Sequence, residues 1–211
     1  MKVGAIFLTH DHHDHTAGAV ELAQRSGAPI YGPKLEMGAD TSGGTFKVDY
    51  LLEEGLLYPF EGAPIFEIYK LPGHSSDSLG ILLSEEQLMF VGDVVFRHGP
   101  TVVFHPDGNL ADYLASLDLL EDLVSLGKVN VFCPGHGYPI VDPLRSIKAT
   151  RNHRIKRLDQ VKQALAAGVS RDADSLFDAV YEGVDEHLRW ASLRSIEAQL
   201  VYLDSEQSEG L

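Results

Sequence analysis

The sequence predicts an α/β fold followed by a small helical appendage. Short apolar runs closed by Gly, Pro and polar turns alternate with longer segments of helical period as far as residue 167. Beyond Gly168-Val169-Ser170 only helical patterns remain. Several apolar runs end on His or Asp rather than on the Lys, Glu and Ser of a solvated loop. The expected division is therefore residues 1–167 as the main unit and residues 168–211 as the appendage.

Taken in order, Val3–Leu8 is an apolar run and reads as a buried strand. Thr16 to Arg25 reads as a helix, with Val20, Leu22 and Ala23 apolar and Ser26-Gly27 closing it. Pro29-Ile30-Tyr31 is a short strand, and the Gly-rich stretch from Lys34 to Gly44 is a loop. Phe46–Leu52, Ile65–Leu71, Leu79–Leu83 and Leu88–Val91 carry strand signals, separated by Glu/Gly/Pro or Ser/Glu turns. Asn109–Leu126 places Leu110, Tyr113, Leu114, Leu117, Leu120 and Leu123 on one helical face. Val129–Cys133 is a further strand, and Pro143–Ala167 is a long helix with proline in its first turn. Helices over Asp172–Tyr181 and His187–Asp204 end the chain.

The composition excludes several classes. With 44% hydrophobic and 23% charged residues, the chain is not one of the disordered classes. One cysteine, Cys133, leaves no intramolecular disulfide and no multi-cysteine zinc site. No apolar run is long enough to span a bilayer. The opening MKVGAIFLTH turns polar too soon for a secretory signal, so a cytoplasmic location is the default and no membrane partner is expected. A net charge of −14 opposes attraction to phosphate backbones and disfavours RNA as a partner. A small-molecule substrate is expected instead, and the oligomeric state is open.

The chemistry is concentrated in LTHDHHDHTAG, where four histidines and two aspartates occupy the six positions from His10 to His15. His10, His12, Asp14 and His15 form His-x-His-x-Asp-His. Alternate residues at a strand end can turn towards one ion, so His10 and His12 suit one site while Asp14 and His15 can face a neighbour. Further donors follow other predicted strands: His74 in Leu71-Pro72-Gly73-His74, Asp93 in Gly92-Asp93, and His136 in Cys133-Pro134-Gly135-His136. The preceding Gly or Pro-Gly lets the backbone turn sharply and approach an ion closely. Singly, each of these is an ordinary turn; together they point to a metal site.

These residues resemble the metallo-β-lactamase superfamily. The resemblance implies a four-layer αβ/βα sandwich binding two divalent metal ions, zinc foremost, with manganese or iron accepted by the same donors. It implies that His10, His12 and His74 hold one metal, that Asp14, His15 and His136 hold the second, and that Asp93 bridges them. The commonest zinc β-lactamases carry cysteine where Asp93 stands, so penicillin hydrolysis is not implied. GPTVVFHPDGNLADYLASLDLL and WASLRSIEAQLVYL are similar to the β-lactamase-like protein 2 branch, which ends in a winged-helix-like appendage and includes single-stranded RNA endonucleases. The glutathione-binding helices of glyoxalase II are not matched, and there is no room for the inserted domain of RNA-processing nucleases. Family members begin with several strands before the His-rich motif; this chain starts almost on it, so an N-terminally incomplete first sheet is expected.

The implied activity is hydrolysis of a thioester or other acyl ester by a metal-bridging hydroxide, with Asp14 as both ligand and catalytic residue orienting the nucleophile. Three alternatives stay open: a single-stranded RNA endonuclease, a mononuclear iron persulfide dioxygenase using His10, His12 and His74, and an inactive truncated remnant. Asp11 and Asp77 are candidates for orienting the ligating histidines. His13 is expected to be a non-ligand, while His98, His105 and Tyr138 are candidates for substrate contact that packing or surface roles also explain. Cys133 and Trp190 are expected in the core. Arg145, Lys148, Arg151, Arg154, Lys156 and Arg157 form a basic run expected on a solvated helix face.

Overall fold

The structure, a computed structural model, describes residues 2–34, 48–181 and 183–209. It contains two sheets. In the first, β1 (Ile6–Phe7), β2 (Ile30–Gly32) and β3 (Tyr50–Leu51) run parallel in that order. In the second, β4 (Gly55–Leu57), β5 (Phe66–Lys70), β6 (Leu79–Leu83), β7 (Leu88–Gly92) and β8 (Val131–Pro134) lie in sequence order. Its pairs are antiparallel except β7–β8, which is parallel. That parallel pair needs a crossover, supplied by helix α3 (Leu110–Ser125).

Side-chain alternation on β6 fixes how the layers stack. Leu79 and Ile81 join Tyr31, Leu52 and Ile68 in an apolar cluster between the two sheets. Leu82 faces the other way, with Met89, Val91 and Phe132, against Tyr113, Leu117 and Leu120 of α3. On the far side of the small sheet, Ala19 of helix α2 (Ala19–Ser26) packs with Ile6, Leu8 and Ile30. Helix, sheet, sheet, helix is the four-layer αβ/βα sandwich.

The later helices close the outer layer. In α4 (Pro143–Ala166) the buried positions Ile147, Thr150, Arg154, Leu158 and Val161 recur at helical spacing. Leu176 and Phe177 of α5 (Ala173–Val180) and Ile196 of α6 (Arg189–Glu209) lie in the same cluster as Leu71 and Tyr113. The segment after Gly168 thus shares its apolar contacts with the rest of the chain. Beyond Gly168 the described elements are α5, a short 3-10 turn and α6. No described helix is long and apolar enough to cross a membrane.

Several elements differ from expectation. The helix expected from Thr16 starts earlier, as a single turn α1 (His13–Thr16), breaks, and resumes as α2. Of Val3–Leu8 only Ile6–Phe7 pairs as strand. β4 was not expected; it is an edge strand with an exposed Leu56, so no buried period marks it. The expected loop from Lys34 to Gly44, beyond Lys34 itself, and the first two residues of Phe46–Leu52 lie outside the described residues.

Candidate metal centre

Strand ends converge on one edge of the sandwich. The end of β1 leads through Leu8 and Thr9 to His10, and the α1 turn carries Asp14 and His15, with the extended His12 as its N-cap. His74 follows β5, Asp93 follows β7 and His136 follows β8. Backbone freedom matters most before His74. Gly73 has φ +129°, and a Cβ there would lie 2.3 Å from Cα of Tyr113. The same turn is pinned from α3: the Asn109 amide donates to the Gly73 carbonyl at 3.0 Å, and Ser116 Oγ donates to the Pro72 carbonyl at 2.7 Å.

The donors of His10, His12 and His74 lie within 4.8 Å of one another, as do those of Asp14, His15 and His136. A third trio, His10, His15 and Asp93, overlaps both. His12 Nδ1 is 3.0 Å from His74 Nε2, and His136 Nε2 is 3.1 Å from Asp14 Oδ2. Asp93 faces both groups: Oδ1 is 3.4 Å from His15 Nε2, and Oδ2 is 3.4 Å from His136 Nε2 and 3.9 Å from His74 Nε2. His10, His74 and Asp93 are buried, whereas the side chains of Asp14 and His136 are 59% and 53% exposed. The site therefore has a closed floor and an open mouth.

This arrangement fits divalent cations. Nε2 of His10 is buried without a hydrogen-bond partner among the described residues, and the buried Nε2 of His15 and Oδ1 of Asp93 approach each other only at a long 3.4 Å. Each such orphan costs about 1–3 kcal/mol, which a cation would relieve. The donors are imidazole nitrogen and carboxylate oxygen, suited to zinc, manganese or iron. Burial, helped by the neighbouring imidazoles, pushes His10 down to about 2, and burial pushes His74 down to about 4. Both therefore present the neutral, ligating form. Burial alone would raise Asp93, but His15, His74 and His10 outweigh it and hold the carboxyl below its usual value.

The sequence profile of the Metallo-beta-lactamase superfamily matches residues 1–136. The chain belongs to the metallo-β-lactamase superfamily. It is 31% identical over 170 residues to a "Hydroxyacylglutathione hydrolase" of Halorhodospira halophila, covering 80% of this chain and 61% of that protein. To an "Atrochrysone carboxyl ACP thioesterase" of Cryptosporiopsis sp. it is 31% identical over 170 residues, covering 78% and 46%. To a "Beta-lactamase-like protein 2 homolog" of Caenorhabditis elegans it is 28% identical over 200 residues, covering 92% and 63%. The chain thus spans less than two thirds of each relative's length. A metallo-β-lactamase family protein of Thermus thermophilus superposes with TM-score 0.74 at 24% identity, over 97% of this chain and 75% of that one. A structure solved in a di-iron-bound form superposes with TM-score 0.54 at 28% identity, over 67% and 73%.

Within this superfamily member, the groups that orient the buried histidines are not the expected aspartates. His10 Nδ1 is 3.0 Å from Thr9 Oγ1. His74 Nδ1–H donates to the Val102 carbonyl at 2.7 Å, with Thr101 Oγ1 at 3.2 Å. Asp77 instead accepts from Ser75 Oγ at 2.8 Å, and burial raises its carboxyl to about 7. Neither Asp11 nor Asp77 is the partner of those two nitrogens. Burial raises Asp11 as well, against the pull of His12.

The basic run also departs from expectation. Arg154 is buried, donates to the Thr101 carbonyl, and sits 5.2 Å from the ring centre of Tyr113. Arg151 pairs with Asp118 at 2.7 Å and Glu121 at 3.1 Å, and Arg157 donates to the Val180 carbonyl at 2.9 Å. Half of the six cations are thus committed internally rather than to a solvated stripe. His13 is exposed and belongs to none of the donor groups, and His98 and Tyr138 are exposed too. Cys133 is half-buried, with its thiol pushed up by burial, in a cleft of about 160 Å³ also lined by Phe7, Thr9, His15, Phe90 and Gly135.

Trp190 is not core. It is 57% exposed, and its ring centre lies 6.0 Å from that of Phe104, which is itself 6.3 Å from His12. The interior of α6 is filled by Ile196, Ala198 and Leu203 instead, further along the helix.

Proposed function

We propose that this protein is a binuclear metal-dependent hydrolase acting on thioesters of small acyl compounds. The observation that carries this is the pair of three-donor groups with Asp93 facing both. His10, His12 and His74 would hold one ion, Asp14, His15 and His136 the other, and Asp93 would stand between them. Bound divalent ions supply a water activated near neutral pH and a Lewis acid for the carbonyl oxygen.

The protein's own part is positioning. Burial keeps His10 and His74 neutral and so ready to ligate at working pH. Thr9, Thr101 and Val102 fix which ring nitrogen points inward. Asp14, exposed at the mouth beside His136, would both help hold the second ion and orient the nucleophile. Substrate enters from the same side, where Asp14 and His136 meet solvent.

The thioester reading is supported by relatives named as a hydroxyacylglutathione hydrolase and an acyl-carrier-protein thioesterase. The same donors accept zinc or iron, and zinc would be the resident ion; a similar protein has been solved in a di-iron-bound form. Cleavage of RNA would need a cationic track, and the commitment of Arg151, Arg154 and Arg157 to internal partners argues against one. The second donor group argues against a mononuclear iron dioxygenase.

The test is metal content of the purified protein combined with a panel of thioesters, phosphodiesters and a single-stranded RNA oligonucleotide. Two metals per chain, with thioester turnover lost to chelator and restored by zinc, is the expected result. One iron per chain with oxygen consumption, or RNA cleavage without thioester turnover, would overturn it.

A further inference from the structure

Two aromatic rings from distant parts of the chain stand in a row leading away from the donor groups. Phe104 meets His12 edge-on at 67°, with ring centres 6.3 Å apart, and meets Trp190 at 58°. Trp190 opens α6, and Arg194 follows one helical turn later on the same face. The Arg194 guanidinium lies 5.9 Å from the ring centre of Phe104. Its ion pair with Glu197, at 2.8 Å, is solvent-exposed and leaves it on that ring.

The segment that carries Phe104 is held in place. Thr101 and Val102 are bound to His74 and Arg154, and the Phe104 carbonyl accepts from the Gly108 amide at 2.6 Å. The backbone that carries Phe104 is thereby held beside His74, whereas Trp190 is 57% exposed. Exposed indole surface forgoes the gain of burial. A flat ring laid against Trp190 and Phe104 would recover it, and stacking favours aromatic over saturated rings.

We infer that Phe104 and Trp190, with Arg194 seating Phe104, form the acyl subsite of the centre and that it takes aromatic acyl groups. The assignment of these groups to an acyl chain rests on the thioester reading; the stacking itself does not depend on it.

The chain has a single tryptophan, so binding can be read directly from its fluorescence in the 211-residue chain, with and without chelator. The probe is 4-nitrobenzoate, a planar quencher, displaced by benzoate or by the saturated cyclohexanecarboxylate. Saturable quenching in both metal states is expected, with benzoate displacing at least about five- to tenfold more effectively than its saturated counterpart. Phe104→Leu keeps the reporter and should weaken nitrobenzoate binding by a similar factor, with Phe104→Tyr restoring it. Thermal unfolding confirms that both variants are folded. In turnover, Trp190→Leu should lower the kcat/KM ratio of benzoyl over cyclohexanecarbonyl thioester about five- to tenfold. Quenching with no thioester turnover would keep the aromatic subsite and sink the thioester reading. Turnover with no saturable quenching, equal displacement by the two acids, or displacement by cytidine but not benzoate would overturn the subsite.

Discussion

A Cβ atom at position 135 would lie 2.3 Å from Oδ1 of Asp93, and 2.6 Å from Cε1 of His15. The glycine before His136 is therefore required by close approach: any side chain there drives into the carboxylate that faces both donor groups. Gly135→Ala should leave the sandwich folded while displacing Asp93, with metal affinity falling roughly 10- to 100-fold. Zinc titration into the chelator-stripped variant by calorimetry reads this. Wild-type affinity and stoichiometry would show that the turn yields without moving Asp93.

Asp77 is held up at about 7, with burial as the main cause. Its folded-state pKa thus lies above the unfolded value near 4. The folded protein binds the extra proton between those values, so this group makes stability fall as pH rises from about 4 to about 7. Asn keeps the acceptor for Ser75 without the charge. Asp77→Asn should raise the unfolding free energy of the metal-free protein at pH 8 by roughly 1–3 kcal/mol. Urea denaturation at pH 8 and pH 5 tests it, and the gain should shrink at the lower pH. An equal effect at both values would mean the charge is not the cause.

His10 and His74 act with the opposite sign. In the unfolded chain both protonate near 6.5, whereas the folded protein holds them neutral down to about 2 and about 4. The unfolded state therefore binds more protons below about 6.5, and acidification destabilises, ceasing for His74 near pH 4 and for His10 near pH 2. His15, raised by Asp93 and Asp14 against burial, offsets part of this. In metal-free Asp77→Asn protein, unfolding free energy should drop by roughly 1–2 kcal/mol between pH 6.5 and 5.5. A flat profile in urea denaturation over that interval would show that the two imidazoles are hydrated rather than buried.

Much of this site was legible because its donors are unusual side chains at the ends of ordinary strands. His10, His74, Asp93 and His136 could each be placed by the apolar run before it, and the structure brings all seven donors to one edge. The supporting shell was not legible for a physical reason. Val102 acts through its carbonyl, which every residue has, and Thr101 lies 27 positions from His74 in an irregular segment. A lone tryptophan in a helix ordinarily packs inward, but Ile196 and Leu203 fill that role and leave Trp190 exposed. Arg154 shares the basic run's charge, but its spacing puts it in the buried register of Ile147, Thr150, Leu158 and Val161.

Among the described residues Arg154 is buried without a counter-ion of its own, only 4% exposed. Its guanidinium holds the Thr101 carbonyl and lies over Tyr113, whose hydroxyl donates to the Val94 carbonyl at 2.5 Å, next to Asp93. One side chain therefore braces the segment that orients His74 and the turn that presents Asp93. Arg154→Met fills similar space but leaves the Thr101 carbonyl unpaired, which should cost roughly 2–4 kcal/mol of stability and weaken zinc binding about tenfold. Lysine restores the charge without the planar fork, so Arg154→Lys should recover only part of the zinc affinity. Zinc affinity measured well below each variant's unfolding temperature separates bracing from bulk stability. If affinity is unchanged while stability drops, Arg154 serves the core alone.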